Sequence, residues 1–275
     1  MADVHPSAVV DSGARLADDV RVGALSIIGP EVELAEGVVI GPQAVVLGRT
    51  RIGARSVVHP FACIGGPAQD QTDPDQADGG VSTSLEVGED NVIREHVTLH
   101  LGTEAGGGAT RIGDHNMIMN GAHVGHDCQV GSHCVIASFS GLAGHVRVDD
   151  HAVLGAYTGI HQFSRVGESV MTASNTKLSL DAPPFSMVAG DRARLVGVNN
   201  VGLERRGFSR ERQQQIKRAF HVLFHSRLQL REALVLVREE FKKGLDAQDI
   251  ELLLHFLESS SRGFCRSQST AHTSL

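Results

Sequence analysis

The chain has no tryptophan and a single tyrosine, and aromatics make up only 4% of its residues. Such a composition excludes a wide core padded by rings. It suits a narrow one of stacked Val, Ile and Leu, where a ring has no room. Cysteine is scarce as well. Cys63, Cys128, Cys134 and Cys265 include no Cys-x-x-Cys pair, which argues for free thiols and against a disulfide framework or a cysteine zinc site. No apolar run approaches the roughly 18–20 residues of a membrane span, and the opening residues carry no apolar signal core. The expectation is a cytoplasmic protein without a membrane span.

Charge is short of one sign in each part. Residues 191–275 hold 15 Lys and Arg against 10 Asp and Glu, a balance of +5, which leaves −12 for the rest of a chain whose net charge is −7. A basic C-terminal segment on an acidic body suits an anionic ligand or an acidic partner. The alternative is a set of solvated helix faces. Total hydrophobic content, 41%, is that of an ordinary globular protein.

What is present is a period of six. Val4, Val10, Leu16, Val22, Ile28, Leu34, Ile40, Val46, Ile52, Val58 and Ile64 fall in register. So do Ile112, Ile118, Val124, Val130, Ile136, Leu142, Val148, Leu154, Ile160, Val166 and Leu178, with Thr172 the one polar member. Neither a helix nor a plain strand repeats at six. A chain that turns a corner every six residues and sends one side chain inward on each face does, and the parallel β-helix of hexapeptides is that structure. Gly23, Gly29, Gly41, Gly53 and Gly65 follow inward residues, as a corner with positive φ or close backbone approach would require. Each buried aliphatic contributes roughly 1.5–3 kcal/mol against roughly 1–2 kcal/mol of backbone entropy per ordered residue. A lone coil therefore loses the balance, and stacked coils sharing one core win it.

Two stretches break the register, 65–80 and the Gly-rich 102–109, and read as loops thrown out from the coil. Asp181-Ala182-Pro183-Pro184 is read as its end, because proline supplies no ladder donor. Helical periodicity follows. Ser209 caps a helix through Phe224, a second runs from Leu230 to Lys243 and is closed by Gly244, and Asp246 caps a third to about Glu258. The tail 267–275 is expected to fray. The domain reading is therefore a solenoid over 1–190, with excursions near 66–85 and 102–109, and a helical domain over 191–275.

There are 15 histidines, and solenoid arithmetic sorts them. His115, His133 and His151 stand one coil of 18 residues apart and form an outer column, with coils spaced by about 4.8 Å. His126, His145 and His161 lie near one another along a different edge. Turn histidines facing solvent are the plain reading of either set. Two chemical readings stand beside it: one histidine as a general base near neutrality, or three histidines from adjacent subunits holding a zinc ion, as in β-helical carbonic anhydrases.

The stretches His123-Val124-Gly125-His126-Asp127-Cys128, Leu142-Ala143-Gly144-His145, Ile160-His161-Gln162-Phe163 and Arg205-Arg206-Gly207-Phe208-Ser209 resemble the acyl-ACP:UDP-N-acetylglucosamine O-acyltransferase family, which opens lipid A synthesis. The resemblance spans nearly the whole chain. It implies a left-handed β-helix assembled as a homotrimer, with clefts between subunits as active sites, and neither cofactor nor metal nor nucleic acid. By position, His126 would take the proton of the glucosamine 3-hydroxyl as it attacks the thioester of a 3-hydroxyacyl carrier protein, and the Gly144 N–H would hold the oxyanion. Asp127 would orient His126, although alternation along a strand would send adjacent side chains to opposite faces. His123, His145, His161, Gln162, Gln69 and Asp70 would bind sugar nucleotide or acyl donor. Asn199, Arg205 and Arg206 would address the nucleotide, since guanidinium forks suit phosphate oxygens. Ser174 would stand at the acyl-chain ruler, and as neither glycine nor a bulky residue it leaves chain length open. Two departures, Val201 where the family has Glu and Gln71-Thr72-Asp73 after Gln69-Asp70, leave open whether the 3-position carries a hydroxyl or an amine. The remaining alternatives are a zinc hydratase of the carbonic anhydrase kind and a binding scaffold without turnover.

Overall fold

The computed structural model describes residues 1–70, 83–241 and 247–267. Short strands, mostly of two residues, follow one another round three faces. Every third strand pairs with the last, giving sheets of 11, 9 and 8 strands, here the first, second and third in the order the chain visits them. Val4 pairs with Val22 and Val22 with Ile40, so an uninterrupted coil takes 18 residues. All the pairings are parallel until the last, and the whole is a β-helix of triangular section.

The six-residue period marks the residues that face the axis. Ile28, Ile40, Ile52, Ile64, Ile93, Leu99, Ile118, Ile136, Leu142 and Leu154 are essentially fully buried. Val4 remains 37% exposed because no coil lies beneath it. Thr172, the polar member, is buried but satisfied: its Oγ1 accepts from the Gly155 N–H at 2.9 Å and shares a 2.8 Å hydrogen bond with Thr158 Oγ1.

The corners differ from the expectation. Positive φ falls two places later than the glycine that follows the inward residue, on Leu25, Gln43, Arg55, Phe61, Asp90 and their successors, at 55–65°. The glycines answer instead to close approach. A Cβ on Gly23 would stand 2.6 Å from Pro42 N, and one on Gly53 2.5 Å from Gly88. Of the five, Gly65 has φ of 75°, at an irregularity of the ladder. Left-handed backbone costs a non-glycine residue roughly 1–2 kcal/mol, and the corners recover some of that by stacking between coils. Phe139 lies on Tyr157 at 5.3 Å, and His115, His133 and His151 lie on one another at 4.8 Å.

Both excursions interrupt a coil without shifting it. Val58 pairs with Ile93, 35 residues on, and Thr98 with His123, 25 on, so they insert 17 and 7 residues. Most of the first, with Gln71, Thr72 and Asp73, lies outside the described residues.

The Pro-Pro step does not end the solenoid. Ala182, just before it, bridges in parallel to Val166 on the third side, and Ser186–Ala189 then runs parallel to Met171–Thr172 before Arg194–Val198 returns antiparallel. Residue 190 thus falls between two paired strands of one sheet. Phe185 is fully buried at this end, where the coil closes and a ring does fit. Helices α1 (Asn200–Arg205), α2 (Arg210–Phe220), α3 (Leu230–Phe241) and α4 (Ala247–Glu258) follow. Ser209 Oγ accepts from the Arg212 N–H at 3.1 Å, capping α2. The segment expected as one helix through Phe224 ends in a π-turn, His221–His225. The expected caps Gly244 and Asp246 lie outside the described residues, as does 268–275. Arg165 fastens α4 to the solenoid, donating to Phe256 O at 2.8 Å and Ser259 Oγ at 3.0 Å. Among the described residues no helix is long and apolar enough to cross a membrane.

Candidate active site

The corner that follows the second sheet carries three columns, read off the register of His123 with Gly141 and of Gly141 with Gly159. One place past the inward residue stand Gly125, Ala143 and His161. Two places past stand His126, Gly144 and Gln162. Three places past stand Asp127, His145 and Phe163. Gly144 thus sits one coil above His126, and a Cβ on it would lie 2.4 Å from His126 Nε2. The missing side chain is what gives the imidazole its place. The Gly144 N–H donates to no acceptor among the described residues.

His126 and Asp127 occupy the turn rather than the strand, and Asp127 has φ of 59°. Strand alternation therefore does not apply, and the two side chains meet: His126 Nδ1 lies 2.8 Å from Asp127 Oδ2. A carboxylate oxygen only accepts, so Nδ1 carries a proton, and in the neutral imidazole the lone pair is then on Nε2. The Asp127 side chain is fully buried. It also accepts from the Thr103 N–H at 2.9 Å and the Thr103 hydroxyl at 2.8 Å, while its own N–H donates to Thr110 Oγ1 at 2.8 Å. His145 meets His126 edge to face at 5.0 Å, stacks on Phe163 at 4.4 Å, and brings Nε2 to 3.8 Å from Asp127 Oδ2. His126, Asp127 and His145 together offer ligand atoms close enough for a cation, while the Asp127 carboxylate already accepts from His126 Nδ1 and from Thr103.

His123 stands on the strand below, its Nδ1 2.8 Å from Thr98 Oγ1 and its ring 5.0 Å from that of His100. Burial, helped by the neighbouring His100 and His126, pushes its imidazole down to about 4. It is therefore neutral near pH 7, a partner for hydroxyl and carbonyl groups rather than for a phosphate charge. His100 donates from Nδ1 to Pro67 O at 2.7 Å. That bond ties the coil to the base of the first excursion, two residues before Gln69, which is exposed, and Asp70, which is half-buried.

The remaining expected residues do not join this cluster. His161 and Gln162 are exposed a coil above His145, and Arg262 reaches His161 Nδ1 at 3.2 Å. Asn199 is buried and caps α1: its Oδ1 accepts from the Gly202 N–H at 3.0 Å and its Nδ2 donates to Ser169 O at 2.9 Å. Arg206 pairs with Glu168 at 2.6 Å, and Arg205 is exposed. Glu168 and Ser169 mark the corner between the third and first sheets, a different edge of the prism. Ser174 is exposed at the third edge, and Val201 is 59% exposed on α1. A groove of about 1130 Å³ lies on the outer face of the third sheet, lined by Arg49, Arg51, Glu86 and Arg111 among others, and none of the histidines faces it. In one chain the histidine cluster is a ledge.

Sequence reasoning did not find Thr98, His100, Thr103 or Thr110. The 7-residue insertion hid the first three, because counting by 18 places none of them over His123 or Asp127; Thr110 is in plain register, one place off the column of Asp127. The signal was there in the hexads themselves, since Leu99 and Val124 are consecutive inward residues of one face.

Comparison with known proteins agrees with the geometry. The C-terminal family model described as UDP N-acetylglucosamine O-acyltransferase, domain 2, matches residues 181–265, and the bacterial transferase hexapeptide model matches 109–144. The acyl-[acyl-carrier-protein]–UDP-N-acetylglucosamine O-acyltransferases of Syntrophobacter fumaroxidans and Myxococcus xanthus are each 44% identical, over 96% and 97% of this chain and 99% and 100% of theirs. The solved LpxA structure from Acinetobacter baumannii superposes with a TM-score of 0.90 at 36% identity, covering 96% of this chain and 99% of that one. With it comes the hand of the coil, which is left. A hexapeptide solenoid with this histidine corner, matched over nearly its full length, belongs to the acyl-[acyl-carrier-protein]–UDP-N-acetylglucosamine O-acyltransferase family.

Proposed function

We propose that the chain transfers a 3-hydroxyacyl group from acyl carrier protein to the 3-position of UDP-N-acetylglucosamine, the opening acylation of lipid A assembly, with His126 as general base. The observation that carries this reading is the pairing of His126 Nδ1 with the buried Asp127, which in the neutral imidazole puts the lone pair on Nε2, directed at the space beneath Gly144. The sugar hydroxyl gives its proton to Nε2 as its oxygen bonds to the thioester carbonyl. The oxyanion that forms takes the unpaired Gly144 N–H. The C–S bond then breaks, and the imidazolium returns the proton to the leaving thiolate. No step calls on a cofactor. His145 and the neutral His123 meet oxygens of the sugar or acyl group, while Gln69, Asp70, His161 and Gln162 flank the ledge.

Arg205 and Arg206 sit on another edge of the same prism, and the ledge has no second wall. Copies of the chain packed side by side would supply one, which supports a homotrimer with its sites between subunits. In the division we propose, 1–190 holds the chemistry and the basic 191–275 meets the acidic carrier. Both substrates are soluble, which suits the cytoplasm. The test is a panel of 3-hydroxyacyl carrier proteins of graded length offered with UDP-N-acetylglucosamine, products weighed by mass spectrometry. One chain length should dominate, with an acyl ester on the sugar. Turnover of none of them would overturn the reading.

A further inference from the structure

We propose that the Gly-rich 102–109 excursion is part of the catalytic apparatus, with Thr103 acting through Asp127 as the positioning residue that aims the His126 imidazole. This rests on the acyl-transfer reading above, with His126 as base. The geometry is a relay of hydrogen bonds with one direction. The Gly106 N–H donates to Thr103 Oγ1 at 3.0 Å, the Thr103 hydroxyl donates to Asp127 Oδ2 at 2.8 Å, and the same oxygen accepts from His126 Nδ1 at 2.8 Å. The Thr103 N–H holds the other oxygen at 2.9 Å. Thr103 is 3% exposed and Asp127 4%, so water does not compete for these bonds.

The excursion is shaped to close on the carboxylate. Gly106 lies so near that a Cβ there would stand 2.1 Å from the Asp127 carboxyl carbon, and the Gly108 N–H returns to Thr103 O at 2.8 Å. A free carboxylate on a turn has two rotatable bonds with which to follow or leave the imidazole. With both oxygens claimed by one residue of the excursion, Asp127 presents Oδ2 at a fixed place, and His126 Nδ1 has one position to meet. Partners that orient a metal-bound imidazole through its other ring N–H carry effects of about 10- to 100-fold when removed, and the same scale is expected for an imidazole that must be aimed at a proton.

The experiment compares Thr103→Val, Thr103→Ser and Gly106→Ala with the parent in steady-state acyl transfer to UDP-N-acetylglucosamine, thermal melting confirming that each is folded. Thr103→Val keeps the volume and the N–H and loses the hydroxyl; kcat should fall about 10- to 100-fold with the two KM values little changed. Thr103→Ser should restore most of the rate. Gly106→Ala, which keeps the hydroxyl but lifts the excursion off the carboxylate, should fall with Thr103→Val. A Thr103→Val enzyme at full kcat, a loss shared equally by Thr103→Ser, or a rise in KM alone would overturn the proposal. His126→Ala runs beside them: if it retains turnover, the base assignment itself has failed, whereas an inactive His126→Ala with an unaffected Thr103→Val removes only the role of the excursion.

Discussion

At the residue scale the site depends on what two side chains do and what one residue lacks. Gly144 has no Cβ, and that space holds the His126 ring. Gly144→Ala should therefore displace Nε2 and tilt the N–H beneath which the oxyanion would form, lowering kcat by about 100-fold or more with a melting curve close to the parent's. Full turnover in that variant would show that the reaction does not pass between the two residues. His123 offers a different readout. Its imidazole is held near 4 against an ordinary 6.5, chiefly by burial. Between those values the unfolded chain binds a proton that the folded chain refuses, so the stability contributed by neutral His123 is whole above about 6.5 and drains as pH falls toward 4. His123→Gln should flatten the acid side of the melting temperature–pH curve over that window. An unchanged slope would mean that the group titrates normally.

The pairing of His126 with Asp127 was the least legible feature at this scale. Two adjacent residues read as strand point apart. They meet because the period of six puts both on the turn, where Asp127 takes φ of 59°. The same period could have told strand from corner: the two residues before each break point out and in, and the next four turn. The columns, by contrast, were legible outright. His115, His133 and His151 stack at 4.8 Å because 18 is the coil length.

At the scale of the element, each short strand is held by its neighbours above and below and by one inward side chain. Ile136 is fully buried between Ile118 and Leu154. Ile136→Asp would bury an unpaired carboxylate at a cost of about 3–5 kcal/mol or more, and should lower the urea midpoint sharply or abolish folding; an unaltered midpoint would refute the inward register. The helices depend on their caps. Removing the Ser209 hydroxyl from the start of α2 by Ser209→Ala should cost about 1 kcal/mol, read as a small loss of melting temperature. The starts of α2 and α3 were legible because caps and apolar stripes are local, whereas the π-turn that replaces the last turn of the helix expected through Phe224 left no such mark. The strand after Pro183-Pro184 was not, since it is held by a ladder to Met171–Thr172 and by the returning Arg194–Val198, neither of which leaves a mark in the segment itself. The short α1 was missed for a related reason: its cap, Asn199, looks like a nucleotide ligand in the sequence and is tied to Ser169 in the fold.

At the scale of the whole molecule, the histidine ledge and Arg206, at the end of α1, occupy different edges of one prism. Which edges exist was readable from the period, but which residues of separate copies face one another is a property of assembly and has no local signal. The account expects three chains together in light scattering, and a monomer with full activity would contradict it. Its central claim is narrower: an imidazole fixed at a corner by a buried carboxylate takes the proton of the sugar. The direct measurement is a single-turnover reaction of UDP-N-acetylglucosamine with a 3-hydroxyacyl carrier protein, followed by mass spectrometry, on the parent and on His126→Ala. The parent should yield acylated sugar nucleotide and free carrier thiol in equal amounts, and the folded variant should yield neither above the uncatalysed background. Acylated product formed by His126→Ala at a rate near the parent's would contradict it.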